Sequence, residues 1–154
     1  MLAIAPATSD QLSEVLAWLE REEAESGDGF YCKRDVIEQS FNDGEMYCAS
    51  CGPTVVGFVI HTVKSIGASI DILEVQPAHR HQGFGRQLAL HAIGRLFQRG
   101  KEFVTVRCAP RSSEPFWRSL GFVTLMRTLP QRTDAEVLVL HRPAGPTDRL
   151  NELP

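Results

Sequence analysis

Between Ala68 and Val106 the apolar pattern changes period twice, and this constrains the fold more than any other feature of the sequence. Ala68–Val75 reads as a strand. From Gly83 to about Arg99, Phe84, Leu88, Ala92 and Leu96 recur every fourth residue with Ala89, Ile93 and Phe97 beside them, the stripe of an amphipathic helix that Gly100 stops. Phe103–Val106 is then a short β-branched apolar run, suited to a buried parallel strand. Strand, helix and parallel strand in succession call for a sheet with helices packed on it.

The flanking segments extend that plan. Leu2–Pro6 has the alternation of a short edge strand. Thr8 and Gln11 have the spacing of a capping box, and Leu12, Val15, Leu16 and Leu19 carry an amphipathic helix to about Glu25. Ser26-Gly27-Asp28-Gly29 ends it, and a shorter helix runs from about Lys33 to Asn42. Strands at Glu45–Ser50 and Val55–Val63, joined through Gly52-Pro53, make an antiparallel meander with Ala68–Val75. A short helix spans Ser113 to Leu120 with Pro115 in its first turn. Phe122–Leu129 and Ala135–Leu140 form a hairpin across Pro130–Asp134. The predicted order is β-α-α-β-β-β-α-β-α-β-β, an α/β class with a mixed central sheet flanked by helices. With 154 residues, 43% of them hydrophobic, one domain over residues 1–142 and a loose tail over 143–154 is expected. A chain of this length buries roughly 68–70% of its unfolded surface and needs neither disulfides nor a metal.

Several classes are set aside. Met46–Val63 lacks charged residues, but Cys48, Ser50, Thr54, His61 and Thr62 dilute it and Gly52-Pro53 breaks it, so no membrane span is expected. Met1–Asp10 has no basic n-region, which suggests a cytoplasmic protein. Cys48 and Cys51 form a C-x-x-C without the second pair that a zinc site requires, so no metal is expected. Residues 1–45 hold three basic against eleven acidic side chains, whereas residues 80–118 hold eight basic against two acidic. That asymmetry suits two ligands of opposite sign. Nucleic acid fits poorly, because exposed aromatics do not interleave the basic residues.

The stretch most informative about chemistry follows the strand that ends at Val75. A helix beginning at Gly83 leaves its first N–H groups unpaired, Gly83 and Gly85 let a ligand approach the backbone, and the helix dipole favours negative charge. The arrangement suits a pyrophosphate. A P-loop requires Lys-Ser or Lys-Thr after the glycines, and the dinucleotide fingerprint requires a third glycine where Leu88 stands. What remains is R-x-x-G-x-G, Arg80 to Gly85. This resembles the acyl-CoA motif of the GNAT N-acetyltransferase superfamily. A second segment, Phe116-Trp117-Arg118-Ser119-Leu120-Gly121-Phe122, resembles that superfamily's F-Y-x-x-L-G-F, and the element order over roughly residues 2 to 140 is also similar.

The resemblance implies acetyl-CoA as co-substrate and an amine acceptor. It gives Leu73, Glu74 and Val75 to the thioester and pantetheine, largely through backbone groups. His81, Gln82, Gly83, Phe84, Gly85 and Arg86 would hold the pyrophosphate by main-chain N–H groups, with charge from Arg80 and Arg86, and Trp117 would lie along the pantetheine arm. The sequence departs from the pattern at Pro110, where many members carry Asn, and at Trp117, where many carry the Tyr that protonates the departing thiolate. An indole N–H donates a hydrogen bond but supplies no proton at neutral pH. A base matters more, since an amine of pKa about 10.4 must lose a proton before it attacks. Strand alternation puts Asp71 on the face of Leu73 and Val75, making it the first candidate base; Glu74 on the opposite face is the second. Cys108 is a candidate proton donor, with an inert buried thiol as the alternative. The acidic segment from Glu20 to Glu45, with Phe30 and Tyr31, suits a cationic amine with an apolar portion. A homodimer is compatible with this reading, and the alternative function is a catalytically inactive acyl-CoA-binding regulatory module.

Overall fold

The structure is a computed structural model, and the residues described are 1–27, 30–125 and 136–144. Among these residues seven strands form one mixed sheet in the order β1-β2-β3-β4-β5-β7-β6. They are β1 (Leu2–Pro6), β2 (Met46–Cys51), β3 (Thr54–Val63), β4 (Gly67–Val75), β5 (Phe103–Arg107), β6 (Val123–Thr124) and β7 (Val137–His141). The helices are α1 (Ser9–Ser26), α2 (Arg34–Asn42), α3 (Phe84–Gln98) and α4 (Glu114–Ser119). Only β4 and β5 run parallel, joined through α3, and the other neighbours are antiparallel. The α/β class and element order match the sequence reading. The expected hairpin tip, Pro130–Asp134, and the tail beyond residue 144 lie outside the described residues.

Local chemistry explains the elements. Thr8 accepts from the Gln11 N–H while the Gln11 side chain accepts from the Thr8 N–H, a complete capping box that starts α1. Val15, Trp18 and Leu19 turn the buried stripe of α1, with Ile37 of α2, onto Val55, Phe58, Ile60 and Ile72. On the other face, Leu88, Ala89, Ala92, Ile93 and Leu96 of α3 pack on Val56, Val59, Ile70, Val104 and Val106. Each fully buried leucine contributes about 1.5–3 kcal/mol relative to exposure, so the two layers hold the sheet between them. Cys48 belongs to the α1 layer and Cys51 packs against the α3 layer, so this C-x-x-C does not converge. Burial pushes the Cys48 thiol up to about 12, with Glu14 adding to the effect.

At the far end of α3, Arg99 donates to both Glu45 oxygens at 2.9 and 3.0 Å. Glu45 Oε2 also lies 2.8 Å from His61 Nδ1, an ion-pair distance that is not aligned as a hydrogen bond. His61 is 2% exposed and packs on the Tyr47 ring. Burial lowers its pKa, with Arg99 acting in the same direction and Glu45 opposing.

Candidate active site

The site originates in a mismatch between two ladders. Pairing of β4 with β5 runs from Gly67–Phe103 to Ile70–Val106 and stops, while pairing with β3 continues to Gly57–Val75. Residues 71–75 therefore have β3 on one side and an opening on the other. Gln76 N–H donates to Val56 O at 2.7 Å. By the alternation of an antiparallel ladder, Ile72 and Glu74 turn their backbone to β3, and Leu73 and Val75 aim N–H and C=O into the opening. The Val75 carbonyl accordingly accepts from Arg80 Nε at 3.0 Å.

Between the diverging strands lies a cavity of about 470 Å³ lined by Phe30, Leu73, Glu74, Arg107, Phe116 and Trp117, among others. A second hollow of about 320 Å³ shares Val75, Arg80 and Phe116 with it and extends to His81, Gly83, Gly85 and Arg86. The two together run along the end of β4 to the start of α3.

At that start, His81 has φ +65° and Gly83 +81°, the second being the N-cap of α3 without a side-chain cap. Two left-handed residues with Gln82 between them turn successive N–H groups to one side, and the first turn of α3 adds its own unpaired donors. A Cβ on Gly83 would meet nothing within 4 Å, so the need for glycine there is conformational. A Cβ on Gly85 would stand 3.6 Å from Leu73 and Val75 side chains and 3.9 Å from the Phe116 ring. Gly85 thus faces the hollow, and its missing side chain is part of the space.

Charged groups occupy the α1 face. The Arg80 guanidinium binds Glu74 Oε1 through Nη2, which also donates to Glu22 Oε1 at 3.1 Å. Glu22 in turn accepts from the Trp18 indole at 3.3 Å. The Glu74 side chain is only 15% exposed. Burial pushes its pKa up to about 7, Glu22 reinforcing the rise and Arg80 opposing it. A carboxyl poised near neutrality inside a cleft is the charge state that general-base chemistry uses.

Three expectations change. Asp71 does not share the face of Leu73 and Val75. The β3–β4 register shifts between Ile60–Ile72 and His61–Ile70, leaving Asp71 as the extra residue of a bulge. Its oxygens accept from Thr62 at 2.5 Å and from Ser69 at 2.8 Å, although it still reaches the cavity rim. Arg80 is turned to the carboxylates rather than held over the helix start. Cys108 is 1% exposed and lies in the α3-side core, absent from the cavity walls, and burial raises its thiol pKa. Trp117 is mostly buried at 6% exposure, its ring edge-on to Phe116 and Phe122. It reaches the cavity, but Phe116 spans both hollows, a role the sequence reading missed although the residue stands in the quoted motif. Leu73, Val75, His81, Gly83, Phe84, Gly85 and Arg86 line one hollow or the other, while Gln82 sits between the two left-handed residues. Of the acidic segment, Glu23 and Asp35 border a separate groove and Glu25 another. Among the described residues no group of three or more His, Cys, Asp or Glu side chains gathers as a metal site, and no helix is long and apolar enough to cross a membrane.

The sequence matches the profile of the acetyltransferase (GNAT) family over residues 12–122. No curated protein is a significant match to the chain. Among solved structures it resembles the N-acetylglutamate synthase of Neisseria gonorrhoeae, complexed with coenzyme A and N-acetyl-glutamate. That match has 20% identity and TM-score 0.74, covering 92% of this chain and 36% of that one. The chain therefore spans about a third of that enzyme's length. It also resembles the PaiA N-acetyltransferase of Thermoplasma acidophilum in complex with coenzyme A, at 14% identity and TM-score 0.71, covering 92% and 99% of the two chains. A GNAT-family acetyltransferase of Bacillus cereus matches at 13% identity and TM-score 0.71, covering 94% and 99%. At these identities the likeness is one of fold.

Proposed function

Since the chain belongs to the GNAT acetyltransferase family, we propose that it transfers the acetyl group of acetyl-CoA directly to a primary amine in a ternary complex, within a single domain over residues 1–142. The observation that carries the reading is the exposed edge of β4 at residues 73–75, flanked by the amide cluster of residues 81–86 and by Glu74. The donor set suits the coenzyme: main-chain N–H groups for a diphosphate, an extended edge for an amide-bearing arm, and the apolar faces of Phe116 and Trp117 alongside. His81, Gln82, Gly83, Phe84, Gly85 and Arg86 take the diphosphate, and Leu73 and Val75 take the pantetheine and thioester.

Glu74 is the base. It removes a proton from the acceptor ammonium, the freed amine attacks the thioester carbonyl carbon, and a C–N bond forms. A cleft-facing N–H of Leu73 or Val75 stabilises the oxyanion. When the C–S bond breaks, coenzyme A leaves as a thiolate whose pKa of about 8.5 lets it depart without an enzymatic acid. The second proton of the attacking nitrogen passes to that thiolate, leaving a neutral amide and the free thiol. No donor is then required at Trp117, and Cys108 stays outside the reaction. Arg80 positions Glu74 and keeps its pKa from rising further.

Calorimetric titration of coenzyme A tests the binding half. One molecule per chain is expected, with affinity reduced at least tenfold by Gly85→Val, whose added methyls fill the hollow. Thiol release from acetyl-CoA that depends on an added amine tests the chemistry. Absence of binding heat would overturn the reading, and tight binding without turnover across a broad amine panel would favour the regulatory module.

A further inference from the structure

We infer that the acceptor carries a carboxylate close to its amine and that Arg107 receives it. The inference rests on the transferase reading and narrows its acceptor to an amino-carboxylate such as a free amino acid. Val104 and Val106 point into the core beneath α3. Alternation along β5 therefore puts Thr105 and Arg107 on the opposite face, the one on which Glu74 meets Arg80. Arg107 is exposed and lines the cavity, and among the described residues it makes no ion pair and no side-chain hydrogen bond.

Its neighbours are already committed. Arg80, the other guanidinium of the cavity, holds Glu74, Glu22 and the Val75 carbonyl. Ser69 pairs with Thr105 and Ile70 with Val106, so Asp71 and Arg107 are the first residues past the last β4–β5 pair, where the strands part. Both Asp71 oxygens are nonetheless turned back to Thr62 and Ser69. Among the described residues the β5 wall thus presents a guanidinium without a counter-ion, and the β4 wall presents the carboxyl of Glu74, whose pKa is about 7. Asp71 and Glu74, with Glu22 of α1 held on Arg80, face two guanidinia, Arg80 and Arg107, while Glu23, Glu25 and Asp35 border other grooves. A polycation has little to gain in such a cavity. A zwitterion, with its ammonium at Glu74 and its carboxylate on the planar fork of Arg107, satisfies both walls.

Matched acceptor pairs test this: glycine, leucine, glutamate and β-alanine, each against the amide of the carboxylate nearest its amine, with thiol release from acetyl-CoA as the readout. At least one carboxylate member is expected to exceed its amide about 10- to 100-fold in kcat/KM, the range for a hydrogen bond to a charged group. Arg107→Gln should erase that preference by raising KM, Arg107→Lys should restore part of it, and the calorimetric Kd for coenzyme A should stay unchanged in both. Amides that match or exceed their acids in every pair would overturn the inference, as would wild-type selectivity in Arg107→Gln. A coenzyme Kd weakened in step with kcat/KM would reassign Arg107 to the coenzyme site and overturn it equally. Coenzyme binding without thiol release from any pair would instead overturn the transferase reading itself.

Discussion

Replacing Glu74 with Gln removes one charge and should move two observables in opposite directions. The carboxyl is raised from an ordinary 4.5 to about 7, chiefly by burial. An acid whose folded pKa exceeds its unfolded pKa holds more protons in the native state between those values, so stability falls as pH rises through that window. The shift corresponds to roughly 3 kcal/mol of destabilisation, which builds up between about pH 4.5 and 7, is fully developed above pH 7 and is nearly absent at pH 4.5 and below. Gln retains an acceptor oxygen for Arg80 but loses the ion pair, so we expect the variant to be more stable by about 1–2 kcal/mol at pH 8. That corresponds to roughly 2–8 °C in Tm, with little difference at pH 4.5. Activity should fall by about 10²–10⁴-fold, the range for loss of a positioned base, and the wild-type rise in kcat/KM through about pH 7 should disappear. Thermal melts at the two pH values and a pH–rate profile supply the measurements. A variant that keeps the limb near pH 7, or that melts lower at pH 8 while remaining as active as wild type, would show that Glu74 is neither strained by burial nor the base.

Asp71→Asn, with both oxygens of Asp71 bonded to hydroxyls, should change kcat by less than about threefold; a loss comparable to that of Glu74→Gln would restore Asp71 as the base. Cys108→Ala should leave turnover intact while lowering the free energy of unfolding by about 1 kcal/mol for a small cavity, and inactivation of a folded variant would bring the thiol back into the mechanism. His61 is held below its ordinary 6.5 by burial, so the unfolded chain binds a proton that the native one refuses. Stability should therefore fall as pH drops below about 6.5, with a slope of at most about 1.4 kcal/mol per pH unit. Urea unfolding between pH 7.5 and 5 measures this, and a slope unchanged in His61→Phe would assign it to another group.

Local signals in the sequence carried most of the architecture. The capping box at Thr8, the every-fourth-residue stripe of α3 and the uncharged strands around Gly52-Pro53 are each continuous in sequence, and each folds as its pattern dictates. The loop proposed to bind the coenzyme was readable for the same reason, because R-x-x-G-x-G joins a strand end to a helix start within one short segment. What failed depended on distant partners. The face of Asp71 is set by how β3 pairs with β4, and one unpaired residue there reverses the alternation that pattern reading assumes. Arg80 meets Glu22 across 58 positions of sequence. The burial of Glu74, whose side chain is 15% exposed beside Arg80, depends on tertiary packing that no strand pattern encodes. Phe116 was within reach of pattern reading, since it adjoins Trp117 in the quoted motif, but which of two adjacent aromatics faces the hollow depends on how α4 docks.

The diverging edge of β4 also bears on how such a chain can change over generations. Donors and acceptors that belong to the peptide unit survive every side-chain replacement except proline, which removes the N–H. Leu73 and Val75 can exchange for other residues of strand preference and still present the same polar groups at the same spacing. Relatives that share this architecture while agreeing at barely one position in five are what such an edge allows. Random mutagenesis of those two codons should accordingly return many working variants and reject proline.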